Sequence, residues 1–581
     1  MRMYSNYNNH FGGCVLKINV KIKLAPISLA LMTALNLAAC SEVALKGDVA
    51  QKSDKSLVEQ SKKKYDPTWE SLSTAPVPEW LKDAKFGVYT HWGLYSVPAH
   101  LTNVYGDFMY RKDNDRGVRA HHEKTYGPIE EFGYKDFLPM FTAPKFNADE
   151  WVAVMEDAGA KYAGIHVVHH DGYCLWDSEY TKFDSMDTGP KKDIFGEITK
   201  SVRKSDMKLV ATFHHARTYG LGFKDADKYT EEEKAKLDIF DPKYDYIYRN
   251  PETVSVEEFS NEWHNKIDEV IEKYQPDLLW FDGLAKGKAN GIVNDERLLK
   301  TFSDFLNNGN DYTDETYLFN KLPASMRWNF PMGFGYRTYE NGRDMEVDVR
   351  GDWNIDRSIG YPWTWVKDKE YQHSHDYHIR SLVDIVARGG SFLLSLTPKG
   401  DGSIPEREKE IMAGIGRWMR INGDAIYNTR PWKSVGEGMD ADVLRVDAFR
   451  MNGEPKTNWD YTILDKAKGD VVRFTKNGND LYAIVMGEPE SGEIKVPTLA
   501  LGNVEKSGKG IASVSLLGSD AKIDWQQNSD GLIVKFPKQL PGEIAYSFKI
   551  TVKGELDQSV RPTFDDGIGR KGNWPIYKTK V

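Results

Sequence analysis

The chain has 581 residues, with 77 Lys and Arg against 86 Asp and Glu and a net charge of −9. Its 40% hydrophobic and 28% charged residues describe a globular protein long enough for more than one domain. The basic residues are spread along the chain, which excludes the basic stripe of a nucleic-acid binder, and outside the N-terminus no apolar run approaches the ~20 residues that cross a bilayer.

At the N-terminus, Lys17, Lys21 and Lys23 precede an apolar stretch from Leu24 to Ala39, with small residues before Cys40. This is the charged, apolar and small-residue order of a secretory signal. Leu37-Ala38-Ala39-Cys40 resembles the bacterial lipobox, in which the Cys is lipidated and becomes the mature N-terminus. The resemblance implies that residues 1–39 are a lipoprotein signal peptide and that the only membrane attachment is a lipid at Cys40. Ser41, rather than Asp, after that Cys suits onward sorting, so the expected place is the periplasm or outer membrane of a bacterium. Processing removes Cys14 and leaves Cys174 without a partner, so neither a disulfide framework nor a Cys-rich zinc site is available. Residues 40–65 are polar and rich in Lys, Ser and Gln, the texture of a flexible tether.

From residue 66 to about 432, helical patterns alternate with short apolar runs. Asn147 caps a helix that runs to Ala158, where Gly159 closes it, and Tyr162–Val168 follows as a buried strand. A helix over Lys192–Lys204 leads to a strand at Lys208–Phe213, and an amphipathic helix over Val256–Tyr274 leads to one at Asp277–Phe281. Ile379–Arg388 reads as helix, Ser391–Leu396 as strand and Pro405–Asn422 as helix. Such alternation predicts a parallel sheet closed as a (β/α)8-like barrel of the α/β class, with a long insertion between Gly283 and Ile379. Residues 433–553 change to alternating runs such as Leu481–Met486 and Gly531–Phe536, separated by Gly, Asn and Ser turns. These predict a small antiparallel β-sandwich, and residues 554–581 read as a tail without a clear element.

In a parallel barrel, reactive side chains project from the C-terminal ends of the strands. Here the apolar runs end in His91-Trp92-Gly93, His169-His170-Asp171-Gly172, His214-His215 and Asp282-Gly283. Taken singly, each has a bland reading. A lone His is usually a satisfied structural residue, and Asp171 before Gly172 reads better as a turn residue. Four polar clusters at matching strand ends point to a pocket. Two reaction classes fit. One is glycoside hydrolysis by two carboxylates. The other is a metal hydrolase using the His cluster, although adjacent His on a strand face opposite ways and no HExxH motif is present. A third possibility, a non-catalytic glycan-binding surface protein, would use the 16 Trp and 30 Tyr without a carboxylate pair.

At the strand ends the chain resembles the α-L-fucosidases of glycoside hydrolase family 29. The stretches that carry this are Lys85–Ala99, His169–Ser178, Leu279–Gly283, Val383–Gly390, Pro398–Pro405 and Ile426–Trp432, in family order. The resemblance implies a retaining exo-α-L-fucosidase acting on fucosylated glycans, without a cofactor or a metal. It implies Asp282 as nucleophile and His91, His169 and His170 as holders of the sugar hydroxyls, with Trp92 at the border of the same pocket. Gly335–Glu340 matches the stretch that carries the acid/base, which selects Glu340, with Glu346 as second choice and Trp353 as a neighbour of the sugar. Arg327 is placed near the nucleophile as a cation that keeps it ionised. Two departures touch the pocket. Asn103-Val104 stands where the family often has Glu-Trp, and His214-His215 where it often has Tyr-Ser, which assigns His215 to the substrate.

Overall fold

The structure, a computed structural model, describes residues 64–282, 291–321, 330–331, 334–343, 345, 352–439, 444–451, 454–559, 564–565 and 571–572. In 445–451, 454–458 and the last two pairs only the backbone is described.

Eight parallel strands close into a barrel in sequence order: β1 Phe86–Thr90, β2 Tyr162–Val168, β3 Lys208–Phe213, β4 Leu278–Phe281, β5 Tyr317–Lys321, β6 Tyr336–Glu340, β7 Trp353–Ser358 and β8 Gly390–Leu396. Closure is direct, with Phe86 to Thr90 of β1 opposite Phe392 to Leu396 of β8. β1, β2, β4 and β8 are buried at every position, because one face fills the barrel and the other meets the helices. That is why they read as continuous apolar runs rather than alternating ones. The helices that cover them begin where the sequence offers caps. Asn147 accepts from the Glu150 amide at the start of Ala148–Asp157, and Ser255 with Glu258 forms a reciprocal capping box on Val256–Tyr274.

The expected insertion between Gly283 and Ile379 is instead part of the barrel. It carries the helix Asp295–Asn308 and all of β5, β6 and β7. These strands are short and put Asn320, Lys321, Thr338, Glu340, Asn354 and Asp356 among their residues, so they lack the apolar run that marks a buried strand.

After the helix Glu406–Asn422, beside two-stranded antiparallel sheets at Arg445–Met451 with Glu454–Trp459 and at Phe564–Asp565 with Lys571–Gly572, the chain builds two larger antiparallel sheets. One has five strands, in the order Ile511–Leu516, Ala545–Val552, Asp480–Met486, Val471–Asn477 and Arg430–Glu437. The other has three, Glu493–Val496, Gly531–Lys535 and Trp525–Asn528. Phe474, Leu481, Val485 and Phe548 of the larger sheet share a core with Ile494, Val496, Leu532 and Val534 of the smaller, which makes a sandwich. The first of these strands already begins at Arg430. Past residue 553, the Asp557 carbonyl accepts from Trp432 Nε1 at 2.7 Å and Leu556 bridges to Glu505, so this part of the expected tail is packed on the sandwich. At the other end, Tyr65 is tied by its backbone to Ser303 and Asn307. Cys40 and the rest of residues 1–63 lie outside the described residues.

A buried charge cluster joins barrel and sandwich. Asp384, on the barrel helix His375–Ala387, accepts from Arg388 Nε at 2.6 Å and from Arg473 Nε of the five-stranded sheet at 2.5 Å. All three side chains are almost fully buried. Removing the carboxylate leaves two guanidinium groups without their counter-charge in a dry interface. The Asp384→Ala variant is therefore expected to lose about 3–5 kcal/mol of stability, read as a lowered thermal midpoint. A midpoint equal to that of the parent would show that the cluster does not hold the two parts together.

Candidate active site

The C-terminal ends of the barrel strands surround a cavity of about 460 Å³. Its floor and walls include Tyr89, His91, His169, His170, Asp282, Lys321, Glu340 and Asp356, with Asn103, Arg217, Arg343 and Trp363 from the loops. Two groups of side chains divide it: carboxylates around one ammonium on β4 to β7, and imidazoles on β1 to β3.

Asp282 follows the last residue of β4, and its backbone amide continues the sheet by donating to the Phe213 carbonyl at 2.8 Å. The side chain is thereby fixed at the rim of the barrel. Lys321, the last residue of β5, places Nζ 3.0 Å from Asp282 Oδ2 and 3.1 Å from Glu340 Oε2. Glu340 is the last residue of β6 and also faces Arg343 at 3.5 Å. The two carboxylate oxygens that share Nζ can lie no more than about 6 Å apart, the sum of the two contacts. Burial would push the Asp282 carboxyl up, but Lys321 above all, with Arg217, outweighs it and holds it well below the usual carboxylate range. Burial likewise opposes ionisation of Glu340, and Lys321 and Arg343 hold it below its ordinary value. Lys321 is itself stripped of solvent, yet Asp282, Glu340 and Asp356 hold it above the usual lysine value, so it remains an ammonium.

The imidazoles are neutral. Burial drives His91, His169 and His214 well below the ordinary histidine value, and takes His170 down to about 3. Their hydrogen bonds set the tautomers. His170 Nδ1 donates to the His214 carbonyl at 2.7 Å, which leaves Nε2 as an acceptor. The Asn103 amide donates to His169 Nε2 at 3.2 Å, which puts the proton on Nδ1. His91 Nδ1 pairs with Ser395 Oγ at 2.8 Å. The chain reverses after β2 through Gly172, at φ +81°, where a Cβ would meet Thr218 Cγ2 at 2.4 Å. Asp171 serves that turn, accepting from Tyr134 Oη at 2.7 Å and the Tyr173 amide at 3.2 Å. Because His169 and His170 lie in this turn rather than on the strand, strand alternation does not separate them, and both line the cavity.

Three expected contacts are not brought to the cavity. Trp92 is fully buried behind it, packed on Phe141, Phe146 and Trp151, with Nε1 donating to the Lys399 carbonyl at 2.7 Å. His215 turns outward to stack on Trp263 of the helix Val256–Tyr274, and the inward position belongs to His214, whose Nε2 is 4.0 Å from Asp282 Oδ2. Trp353 is the first residue of β7 and so lies at the opposite end of the strand from the cavity, against Gly390 and Tyr339. Arg327 and Glu346 lie outside the described residues. Among the described residues, the cation in contact with Asp282 is Lys321; neither it nor Asp356 is marked by the strand-end pattern of the sequence. Lys321 still had a signal, being a charged residue two positions beyond the apolar triplet Tyr317-Leu318-Phe319.

His91, His169 and His214 also offer nitrogens that all lie within 4.8 Å of one another, among the described residues the one such group suited to a metal ion. Nitrogens around a tetrahedral ion lie roughly 3.4 Å apart when each is ~2.05 Å from it, a spacing that the 4.8 Å bound admits. As they stand, neutral imidazoles with mixed donor and acceptor atoms suit hydroxyl groups.

A family model described as Alpha-L-fucosidase matches residues 53–424, and one described as Alpha-L-fucosidase C-terminal domain matches residues 465–551. The alpha-L-fucosidase of Dictyostelium discoideum is 28% identical over 505 residues, which cover 84% of this chain and 95% of that protein. The tissue alpha-L-fucosidase of Homo sapiens is 27% identical over 504 residues, 85% of this chain and 92% of that one. Among solved structures, Thermotoga maritima alpha-fucosidase in complex with fucose superposes with a TM-score of 0.60 at 28% identity, covering 84% of this chain and 99% of that one.

The Lys321→Met variant removes the ammonium from between the carboxylates while keeping a side chain of similar length. Asp282 then loses its nearest opposite charge, and the pH at which it ionises is expected to rise by about 1–3 pH units. The acid-side midpoint of the pH–activity curve reports this, and an unmoved midpoint would mean that Lys321 does not set the charge of Asp282.

Proposed function

The chain belongs to the α-L-fucosidase family and is a glycoside hydrolase of that activity, acting on fucosylated glycans, and we propose that it works as a retaining exo-enzyme in which Asp282 is the nucleophile and Glu340 the acid/base. Asp282 attacks the anomeric carbon as the bond from that carbon to the glycosidic oxygen breaks, and Glu340 gives its proton to the departing oxygen. Glu340 then takes a proton from water. The water oxygen bonds to the anomeric carbon as the ester to Asp282 breaks, and fucose leaves with its original configuration.

The observation that carries this reading is the shared Lys321 contact. A separation of no more than about 6 Å between the nearest oxygens suits the ~5–5.5 Å of retaining enzymes and falls short of the ~6.5–9.5 Å that inverting enzymes need to admit a water. The ionised state of Asp282 is the state a nucleophile requires. His91, His169 and His170, with His214 behind them, present the neutral nitrogens that would orient the sugar hydroxyls. The Asp282→Gly variant is expected to lose turnover of an aryl α-L-fucoside by several orders of magnitude and to regain it with azide, giving β-L-fucosyl azide. Full activity without azide would sink the assignment of Asp282.

The N-terminal pattern supports a second element of the proposal. Export and lipidation at Cys40 would hold the enzyme on a bacterial membrane, on the periplasmic side or at the outer membrane, with the polar segment before the fold as its tether. In cells fed radiolabelled palmitate, the parent protein should take up label and sediment with membranes, whereas Cys40→Ser should do neither. Label in the Cys40→Ser protein would place the lipid elsewhere.

A further inference from the structure

Among the described residues, the mechanism leaves one carboxyl of the cavity unused. Asp356 stands in β7 with its Cα paired to that of Glu340 in β6. It is wholly buried, lines the same cavity, and holds Oδ1 without a hydrogen-bond partner. Its other oxygen accepts a long bond from Tyr89 Oη, at 3.4 Å. The groups that face it are Tyr89 from β1, Asp282 after β4, Lys321 from β5 and Glu340 from β6, while β8 supplies only apolar Leu393 at the paired position. Three carboxyls therefore surround one ammonium. An ionised carboxylate with a bare oxygen in a dry strand interior is costly, whereas a neutral acid is not.

We propose that Asp356 is a positioning residue for the acid step: Glu340 and Asp356 titrate as a pair that holds one proton at neutral pH, and that proton is the one given to the leaving group. The proposal rests on the reading of Glu340 as acid/base, and it resolves a difficulty in that reading. With Lys321 and Arg343 beside it, Glu340 alone would be ionised at neutral pH and would have no proton to give. Asp356 is where the proton stays. Burial first, then the carboxylates of Glu340 and Asp282, raise it to about 7 against the pull of Lys321. When the leaving oxygen lies against Glu340, the proton moves to Glu340, Asp356 becomes the carboxylate, and its new charge favours the protonated Glu340. Bond cleavage then transfers the proton from Glu340 to the glycosidic oxygen. The pair regains a proton when water is deprotonated in the second step.

The test compares Asp356→Asn with the parent on two substrates across pH. For methyl α-L-fucoside, whose departure needs a proton, kcat/KM at pH 7 should fall about tenfold or more, and the basic midpoint should move down by at least about one pH unit. For 2,4-dinitrophenyl α-L-fucoside, whose departure needs none, the loss should stay within about threefold. Equal losses on both substrates, or an unmoved basic midpoint, would overturn the proposal and leave Asp356 a structural residue. Should Asp356→Asn fail to fold, infrared difference titration of the Asp171→Asn, Asp184→Asn double variant decides instead, since burial raises those two carboxyls to about 6 as well. A protonated carboxyl band must persist at about pH 6 and disappear by about pH 8, and its absence at about pH 6 would overturn the proposal. Glu340→Ala tests the underlying reading separately, since it should spare only the dinitrophenyl substrate and yield α-L-fucosyl azide with azide. If it does not, Glu340 is misassigned whatever Asp356 does.

Discussion

The site is organised around the Lys321 ammonium, a full charge that has been taken out of water. A cation in the interior of a barrel survives only if carboxylates stand against it. Asp282 and Glu340 do so at 3.0 and 3.1 Å. The same two contacts fix the distance between them, so the condition that lets Lys321 remain charged also brings a nucleophile and a proton carrier within reach of one glycosidic bond. β4, β5 and β6 are consecutive and parallel, and each ends at the same rim. The geometry therefore follows from strand register rather than from loop conformation.

The strand ends on the other half of the cavity are uncharged, with Arg217 on the segment after β3 beside them. β1, β2 and β3 end in histidines, and burial keeps these rings neutral close to the carboxylate cluster. Were His214 protonated, 4.0 Å from Asp282, it would compete with Lys321 for the nucleophile. Neutral rings instead supply direction. His170 shows an acceptor nitrogen and His169 a donor nitrogen because their other atoms are committed to the His214 carbonyl and the Asn103 amide. Charge on one side and oriented neutral dipoles on the other suit a sugar, which carries no charge but develops one at its anomeric carbon as the bond breaks.

Much of this was legible because β1 to β4 and β8 are mostly apolar, so the polar residues just past their ends stood out. Asp282 and the clusters at His91, His169-His170 and His214-His215 were read from that contrast, and so was the alternation that announces a barrel. β5 to β7 were not read, for the complementary reason. Their inward positions hold Lys321, Thr338, Glu340, Asn354 and Asp356, and a strand that carries the chemistry in its body has no apolar run to reveal it. Glu340 was reached only through the family resemblance. The choice between His214 and His215 turned on which of two neighbours points inward, which the sequence leaves open once the strand end is uncertain by one residue. Trp92 and Trp353 were assigned by proximity in sequence to site residues, but large indoles are more often core than contact, and both are fully buried.

The polar interior of β5 to β7 has a cost that the rest of the molecule must carry. Among the described residues, Asn320 Oδ1, Thr338 Oγ1, Asp356 Oδ1 and both side-chain polar atoms of Asn354 are buried without a hydrogen-bond partner on these three strands. Such groups weaken a fold by about 1–3 kcal/mol each, and they cluster where the chemistry is. The compensation lies elsewhere. The apolar strands β1, β2, β4 and β8 enclose the barrel, and aromatic side chains such as Trp151, Trp263 and Trp280 fill the space under the helices and inside it. The Asp384 cluster adds the sandwich to the same side of the balance by fixing it to a barrel helix. On this view the C-terminal sandwich does more than follow the barrel in sequence. It helps keep closed a barrel whose own strands have been given over in part to charge.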